Sequence, residues 1–224
     1  MGTNGYIRST GFRQKRALAF QGQVRTVRGE NISEVFIVDL PDDLSAVGDG
    51  PLAGTETRAP CPPRGTSQRR LTLTAERKHP GLQGPRHWLR SSPAGDQIAL
   101  LMKDDDAVVQ LWTVSPNGGP IAQVTRNPWP IASAFSWSPD GSRIAHVMDG
   151  SVCVTELKSG TTTRLTDRTD AGSSPRPEAC VFSPDGKRIA FVRSMPAGKA
   201  RFNQLWVVET ETEQTHARRE SLRK

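Results

Sequence analysis

Ser92-Pro93-Ala94-Gly95, Ser138-Pro139-Asp140-Gly141 and Ser183-Pro184-Asp185-Gly186 are one motif written three times. The copies stand 46 and 45 residues apart, and each runs at once into an apolar stretch rich in β-formers. Those stretches are Gln97-Ile98-Ala99-Leu100-Leu101, Arg143-Ile144-Ala145-His146-Val147 and Arg188-Ile189-Ala190-Phe191-Val192. Proline sets φ at the first corner, aspartate bonds to nearby backbone and glycine supplies φ > 0, so the chain folds back tightly on itself. A fixed period of this length, with several short strands in each, is the pattern of β-propeller blades.

Four strand signals, A to D from the centre of a blade outward, fill each period. Strand A runs into the turn: His87-Trp88-Leu89-Arg90-Ser91, Ala134-Phe135-Ser136-Trp137 and Ala179-Cys180-Val181-Phe182. Strand B is the apolar stretch after it. Strand C is Val108–Val114, Ser151–Leu157 and Gln204–Val208, with β-branched residues at period two. Strand D, Ile121–Thr125 and Thr162–Thr166, follows the turns Ser115-Pro116-Asn117-Gly118-Gly119 and Lys158-Ser159-Gly160.

Residues 1–73 read as a degraded unit of the same kind, with Ala17–Phe20 as B, Glu34–Leu40 as C and Arg70–Leu73 as D. Residues 41–68, rich in Pro, Gly, Ser and Thr, read as a long exposed loop. The division predicted is a degraded first blade at 1–73, blades at 74–125 and 126–166, and a last blade with a basic tail at 167–224, all in one propeller domain. Glu209–Glu213 offers a start for another strand, but no Leu-Thr ending follows. The expectation is an all-β chain of about four blade-like units, an incomplete propeller belonging to a longer protein; a small closed ring or self-association through open blade edges are the alternatives.

Apolar residues make up 35% of the 224, and the formal net charge is +7. The basic residues are scattered and not interleaved with aromatics, so a solvated surface is expected and not a nucleic-acid site. Cys61, Cys153 and Cys180 share no metal-ligand spacing, and the last two alternate with apolar residues, as buried structural thiols do. The start, Met1-Gly2-Thr3-Asn4-Gly5-Tyr6, shows no basic-then-apolar leader, and no apolar run approaches the ~20 residues of a membrane span. The reading is a soluble chain, cytoplasmic in preference to periplasmic.

The succession Ser-Pro-Asp-Gly, Ile-Ala-Phe-Val, Leu-Trp-Val-Val and Arg-Leu-Thr resembles the WD40-like repeats of the TolB propeller family over roughly residues 70–210. Arg69–Thr72, Pro80–Pro93 and Val109–Gly119 are similar to the bacterial YidR-like propellers, a family without assigned function. The resemblance implies the fold and implies that this chain matches the C-terminal half of such a protein. It implies no chemistry.

The residues themselves carry no catalytic pattern. There is no Gly-x-Ser-x-Gly elbow, and no cofactor is expected. His79, His87, His146 and His216 are isolated from one another and from the cysteines, so no metal site is expected. Asp104-Asp105-Asp106 reads as a solvated hairpin tip without the EF-hand pattern. Trp88, Trp112, Trp137 and Trp206 read as packing between blades. What remains is a binding surface. In a propeller the D-to-A and B-to-C connections emerge on one face, which here places Arg86, His87, Trp129, Arg168 and Arg176 beside Lys103, Asp104, Asp105, Arg193, Lys199 and Arg201. The expected function is a non-enzymatic scaffold that binds a protein or peptide through this rim; the alternative is a propeller lyase or hydrolase with a site in the channel near His87.

Overall fold

Each Ser-Pro turn is closed by its own serine. The N–H of Ser138 donates to the Arg143 carbonyl at 2.8 Å, and its Oγ accepts the Arg143 N–H at 2.9 Å. The same hydroxyl donates to Asp140 Oδ1 at 2.5 Å, while Asp140 accepts the Ser142 N–H at 3.0 Å. These bonds, the Ser138 hydroxyl first among them, hold the Asp140 carboxyl down at about 2. Ser183, Asp185 and Arg188 repeat the arrangement. In the copy that has Ala94, Asp96 replaces the missing acid: Ser92 Oγ donates to Asp96 Oδ1 at 2.6 Å and accepts the Gln97 N–H at 3.1 Å. Gly95, Gly141 and Gly186 close the three turns at φ of 76°, 72° and 70°, where a side chain is strained.

A computed structural model describes residues 5–86, 88–178 and 180–211. Among them are sixteen β-strands and no helix, so no helix long and apolar enough to cross a membrane. Strands β1 (Tyr6–Ile7) and β2 (Arg13–Gln14) form a ribbon; β3 (Arg16–Arg25), β4 (Asn31–Leu40) and β5 (Ser67–Arg70) form the first sheet. The second sheet has the order β6 (Arg90–Ser91), β7 (Ile98–Lys103), β8 (Val109–Val114), β9 (Ala122–Gln123). The third has β10 (Ser136–Trp137), β11 (Arg143–Met148), β12 (Ser151–Glu156), β13 (Thr162–Arg164). The fourth has β14 (Val181–Phe182), β15 (Arg188–Ala197), β16 (Ala200–Glu209). Every sheet is traced in chain order, as meandering blades are.

The chain divides into two compact units, one of Met1–Gly81, Ser91–Ala99 and Thr113–Ala122, the other of Leu82–Arg90, Leu100–Trp112 and Gln123–Lys224. In the first unit, Ala17, Val35, Ile37 and Leu71 are buried together with two carboxylates. Asp39 accepts from Tyr6 Oη at 2.9 Å and pairs with Arg8 and Arg69 at 3.1 and 3.0 Å. Glu34 pairs with Arg70 at 2.9 Å and accepts the Thr72 hydroxyl and the Thr74 N–H. Buried charge of this kind is tolerable only when paired and hydrogen-bonded, as both are.

In the second unit the core lies between the third and fourth sheets. Ala145, Val147, Val152 and Val154 pack with Cys180, Phe182, Ile189 and Phe191. Cys153 and Cys180 are both buried, and desolvation pushes their thiols up to about 11 and about 12.

A threonine ties the outermost strand of three sheets to the strand inside it. Thr72 Oγ1 accepts the Val35 N–H at 2.8 Å, Thr125 that of Leu111 at 2.9 Å and Thr166 that of Val152 at 3.0 Å. This side-chain bond is what the threonine of Leu71-Thr72, Val124-Thr125 and Leu165-Thr166 supplies.

Several details differ from the sequence reading. The inner strands are only two residues long; before β10 the Ala134 N–H donates to the Pro177 carbonyl at 3.0 Å instead of joining the ladder, and His87 and Ala179 lie outside the described residues. β15 and β16 continue to a tight turn at Gly198 and Lys199, so Arg193 and Arg201 sit in strands and not in a loop. Ten-residue ladder pairing overrides the mixed composition of that stretch. β5 stops at Arg70, and Leu71 continues with one bond, from its N–H to the Val35 carbonyl. Trp112 is buried, but Trp88 and Trp206 are exposed: Trp88 precedes its strand, and among the described residues nothing pairs beyond β16. Residues 41–66 form no strand, yet are tied by bonds from Arg64 N to Ala46 O and from Cys61 N to Pro51 O.

Candidate functional site

The described candidate rim residues all fall in the second unit: Lys103 ends β7, Arg193 and Arg201 lie within β15 and β16, and the others are on connections between strands; His87 lies outside the described residues. Arg86 and Arg176 converge on one carboxylate. Arg176 Nε and Nη2 clasp Glu178 at 3.1 and 3.2 Å, and Arg86 Nη2 reaches Oε1 of the same group at 3.3 Å. Arg176 Nη1 also donates to Asn203 Oδ1 at 3.2 Å, joining the connection before β14 to β16. The Arg176 guanidinium lowers the Glu178 carboxyl below its ordinary range, and the carboxylate raises the guanidinium in return.

Trp129 and Arg168 are assembled by two residues that the sequence reading passed over. Asp149, at the turn between β11 and β12 with φ of 45°, pairs with Arg164 Nη2 at 2.6 Å and Arg168 Nε at 3.0 Å. The Arg164 guanidinium lies 5.2 Å from the Trp129 ring centroid, a cation–π stack on an exposed indole. Arg164 Nη1 also bonds Ser151 Oγ at 2.8 Å, which fixes the guanidinium from below. Arg168 leaves most of its side chain in solvent.

Asp104 does turn work. Its Oδ1 accepts the N–H groups of Asp106 and Val108 at 3.1 and 2.9 Å, and its Oδ2 accepts Gln110 Nε2 at 3.1 Å. Gln110 is buried and also donates to the Asn127 carbonyl at 2.8 Å. Lys103 ends β7, and Asp105 is exposed beside Asp104. Among the described residues no group of three or more His, Cys, Asp or Glu is placed to hold a metal ion.

His146 is wholly buried. Its Nε2 is 2.8 Å from Thr155 Oγ1, its Nδ1 has no partner among the described residues, and burial lowers it to about 4. It is a core residue and offers nothing to a ligand.

Glu178, Asp149 and Arg164 organise the clusters. Their one signal in the sequence was proximity: Glu178 follows Arg176 by two residues, and Asp149-Gly150 is a turn dipeptide between two strands.

Sheets that meander outward in chain order, joined by Ser-Pro turns at a fixed period, define the propeller class of all-β repeat proteins. An oligogalacturonate lyase from Vibrio parahaemolyticus shares the fold, with a TM-score of 0.50 and 12% identity over 71% of this chain and 43% of that one. TolB from Acinetobacter baumannii gives a TM-score of 0.49 and 18% identity over 94% of this chain and 44% of that one. In sequence, the chain is a homologue of the uncharacterised protein YidR of Escherichia coli (strain K12), 45% identical over 199 residues. The match takes in 87% of this chain and 46% of the relative, so the chain spans about half the relative's length. No protein-family model matches.

Proposed function

We propose that the chain is a non-enzymatic binding module whose partner is a protein or peptide bearing carboxylates, held at the arginine-rich connections of the second unit. The observation that carries this reading is the convergence of Arg86 and Arg176 on Glu178, a half-exposed carboxylate. Guanidinium forks recognise carboxylates in two-point geometry, and one partly in solvent exchanges an internal carboxylate for an incoming one at little cost. Arg168 and the Trp129–Arg164 stack add the residue types that anchor protein interfaces. Loops on a rigid sheet scaffold are where such binding is carried.

The test is fluorescence anisotropy with glutamate-rich and neutral peptides of equal length. The acidic peptide binds more tightly, the difference shrinks with salt, and Arg176→Ala or Arg168→Ala weakens it by roughly tenfold. Equal, salt-independent binding of both peptides overturns the reading. Tight uptake of manganese in calorimetry, lost in His87→Ala, replaces it with a propeller enzyme.

A further inference from the structure

The third and fourth sheets repeat each other residue for residue through their central strands. In the third, Ala145 faces Val154 and Val147 faces Val152. In the fourth, Ala190 faces Val207 and Val192 faces Leu205, at the same seven and nine residues after the turn serine. The face of the third sheet is sealed beneath Phe182, Ile189 and Phe191. The same face of the fourth is open: Leu205 is 72% exposed, Val207 58% and the neighbouring Val181 54%. Apolar side chains gathered in this way on one sheet mark a surface that takes a partner.

The first sheet presents the complementary half. Phe36 follows the threonine-tied Val35, as Cys153 follows Val152, so Phe36 and its cross-strand partner Phe20 hold the places of Cys153 and His146. In the fourth sheet those places belong to Trp206 and Phe191, and the place of Leu18 belongs to Ile189. Leu18 and Phe20 thus stand where the fourth sheet carries the residues that seal the third. They are exposed by 39% and 36%, and the Phe20 ring is stacked on Phe36 at 5.6 Å.

We infer that the open face of the fourth sheet takes the Leu18–Phe20 face of a second copy of this chain, repeating the packing of the fourth sheet on the third. Leu18, Phe20 and Phe36 match Ile189, Phe191 and Trp206 in residue type, so one polypeptide carries both halves of the contact, which is why the occupant is another copy. The contact is heterologous, two different surfaces meeting head to tail. It involves none of the arginine clusters and stands independently of the binding proposal.

Sedimentation equilibrium on the full chain tests this. The mass rises with concentration to at least twice the monomer by about 100 μM. Leu205→Asp and Phe20→Asp each stay monomeric; Leu205→Asp melts with the parent diluted to monomer, because that side chain is in solvent, and Phe20→Asp melts cooperatively but lower, by the Phe36 stacking it gives up. An equimolar mixture of the two regains a species of twice the monomer mass, since one variant keeps each intact face. A chain monomeric throughout, as when a longer polypeptide supplies the covering blade, overturns the inference. So does association that survives Phe20→Asp, which points to the free edge of β16, or a mixture that stays monomeric.

Discussion

Glu34 and Arg70 meet at 2.9 Å with the carboxylate fully buried. The second sheet fills the same two places with neutral groups: Gln110 stands for Glu34, and Gln123 Nε2 donates to the Thr125 carbonyl at 2.8 Å, as Arg70 Nε does to that of Thr72. One fold therefore accepts either a charged or a neutral pair at this point. Removing the arginine alone is the costly step, because it strands a fully buried carboxylate, whereas Arg70 keeps a quarter of its side chain in solvent when Glu34 is neutral.

Arg70→Ala is accordingly expected to cost about 3–5 kcal/mol, and Glu34→Gln about 1 kcal/mol. The double variant Glu34→Gln/Arg70→Gln, which copies the second sheet, is expected to recover most of the loss. Urea unfolding of the three variants measures this; a double variant as unstable as Arg70→Ala would refute the equivalence.

Thr125→Val keeps the shape of a buried side chain and deletes its hydroxyl. The Leu111 N–H loses its acceptor and Gln110 Oε1 loses a donor at 2.6 Å. A loss of about 1–3 kcal/mol is expected, read from chemical denaturation.

His146 makes stability depend on pH. In the unfolded chain its imidazole takes up a proton near pH 6.5, but in the buried site only near 4. Between these values the unfolded state binds more protons, so this residue's contribution is complete above about 6.5 and is lost as pH falls toward 4, roughly 3 kcal/mol in all. Leu100 occupies the same place, eight residues after its turn serine. His146→Leu should flatten the unfolding free energy between pH 6.5 and 4 relative to the parent; an unchanged slope would exclude this group as the cause.

Gly150 and Gly198 separate backbone strain from crowding. Both have positive φ, +71° and +61°, but a Cβ on Gly150 would lie 2.2 Å from the Thr169 carbonyl oxygen, whereas one on Gly198 meets nothing within 4 Å. Gly198→Ala is expected to cost about 1 kcal/mol and Gly150→Ala well over 2 kcal/mol, in thermal melts.

The turns and the two central strands of each blade were legible in the sequence because their causes are local. Ser138, Pro139, Asp140 and Gly141 close a hairpin with their own atoms, and the alternation in Arg143–Val147 follows from the pleat. The full reach of β15 and β16 was not legible, because Arg193, Met195 and Phe202 join the ladder through cross-strand pairing, which composition does not report. The arginine clusters were half legible. Arg86, Trp129, Arg168 and Arg176 were singled out by position, but what gathers them, Glu178 and Asp149, depends on distances across 92 residues for the first pair. The exposure of Trp206 depends on what lies beyond its strand.

The outermost strands are held by few backbone bonds and one hydroxyl. β13 pairs with β12 over three residues, whereas β11 and β12 pair over six. Unequal anchoring of this kind grades the sheet energetically, so its perimeter breathes long before its middle. Amide protons of Thr162–Arg164 should exchange with solvent orders of magnitude sooner than those of Ala145–Val147, and each blade comes apart like a book losing its cover before its spine.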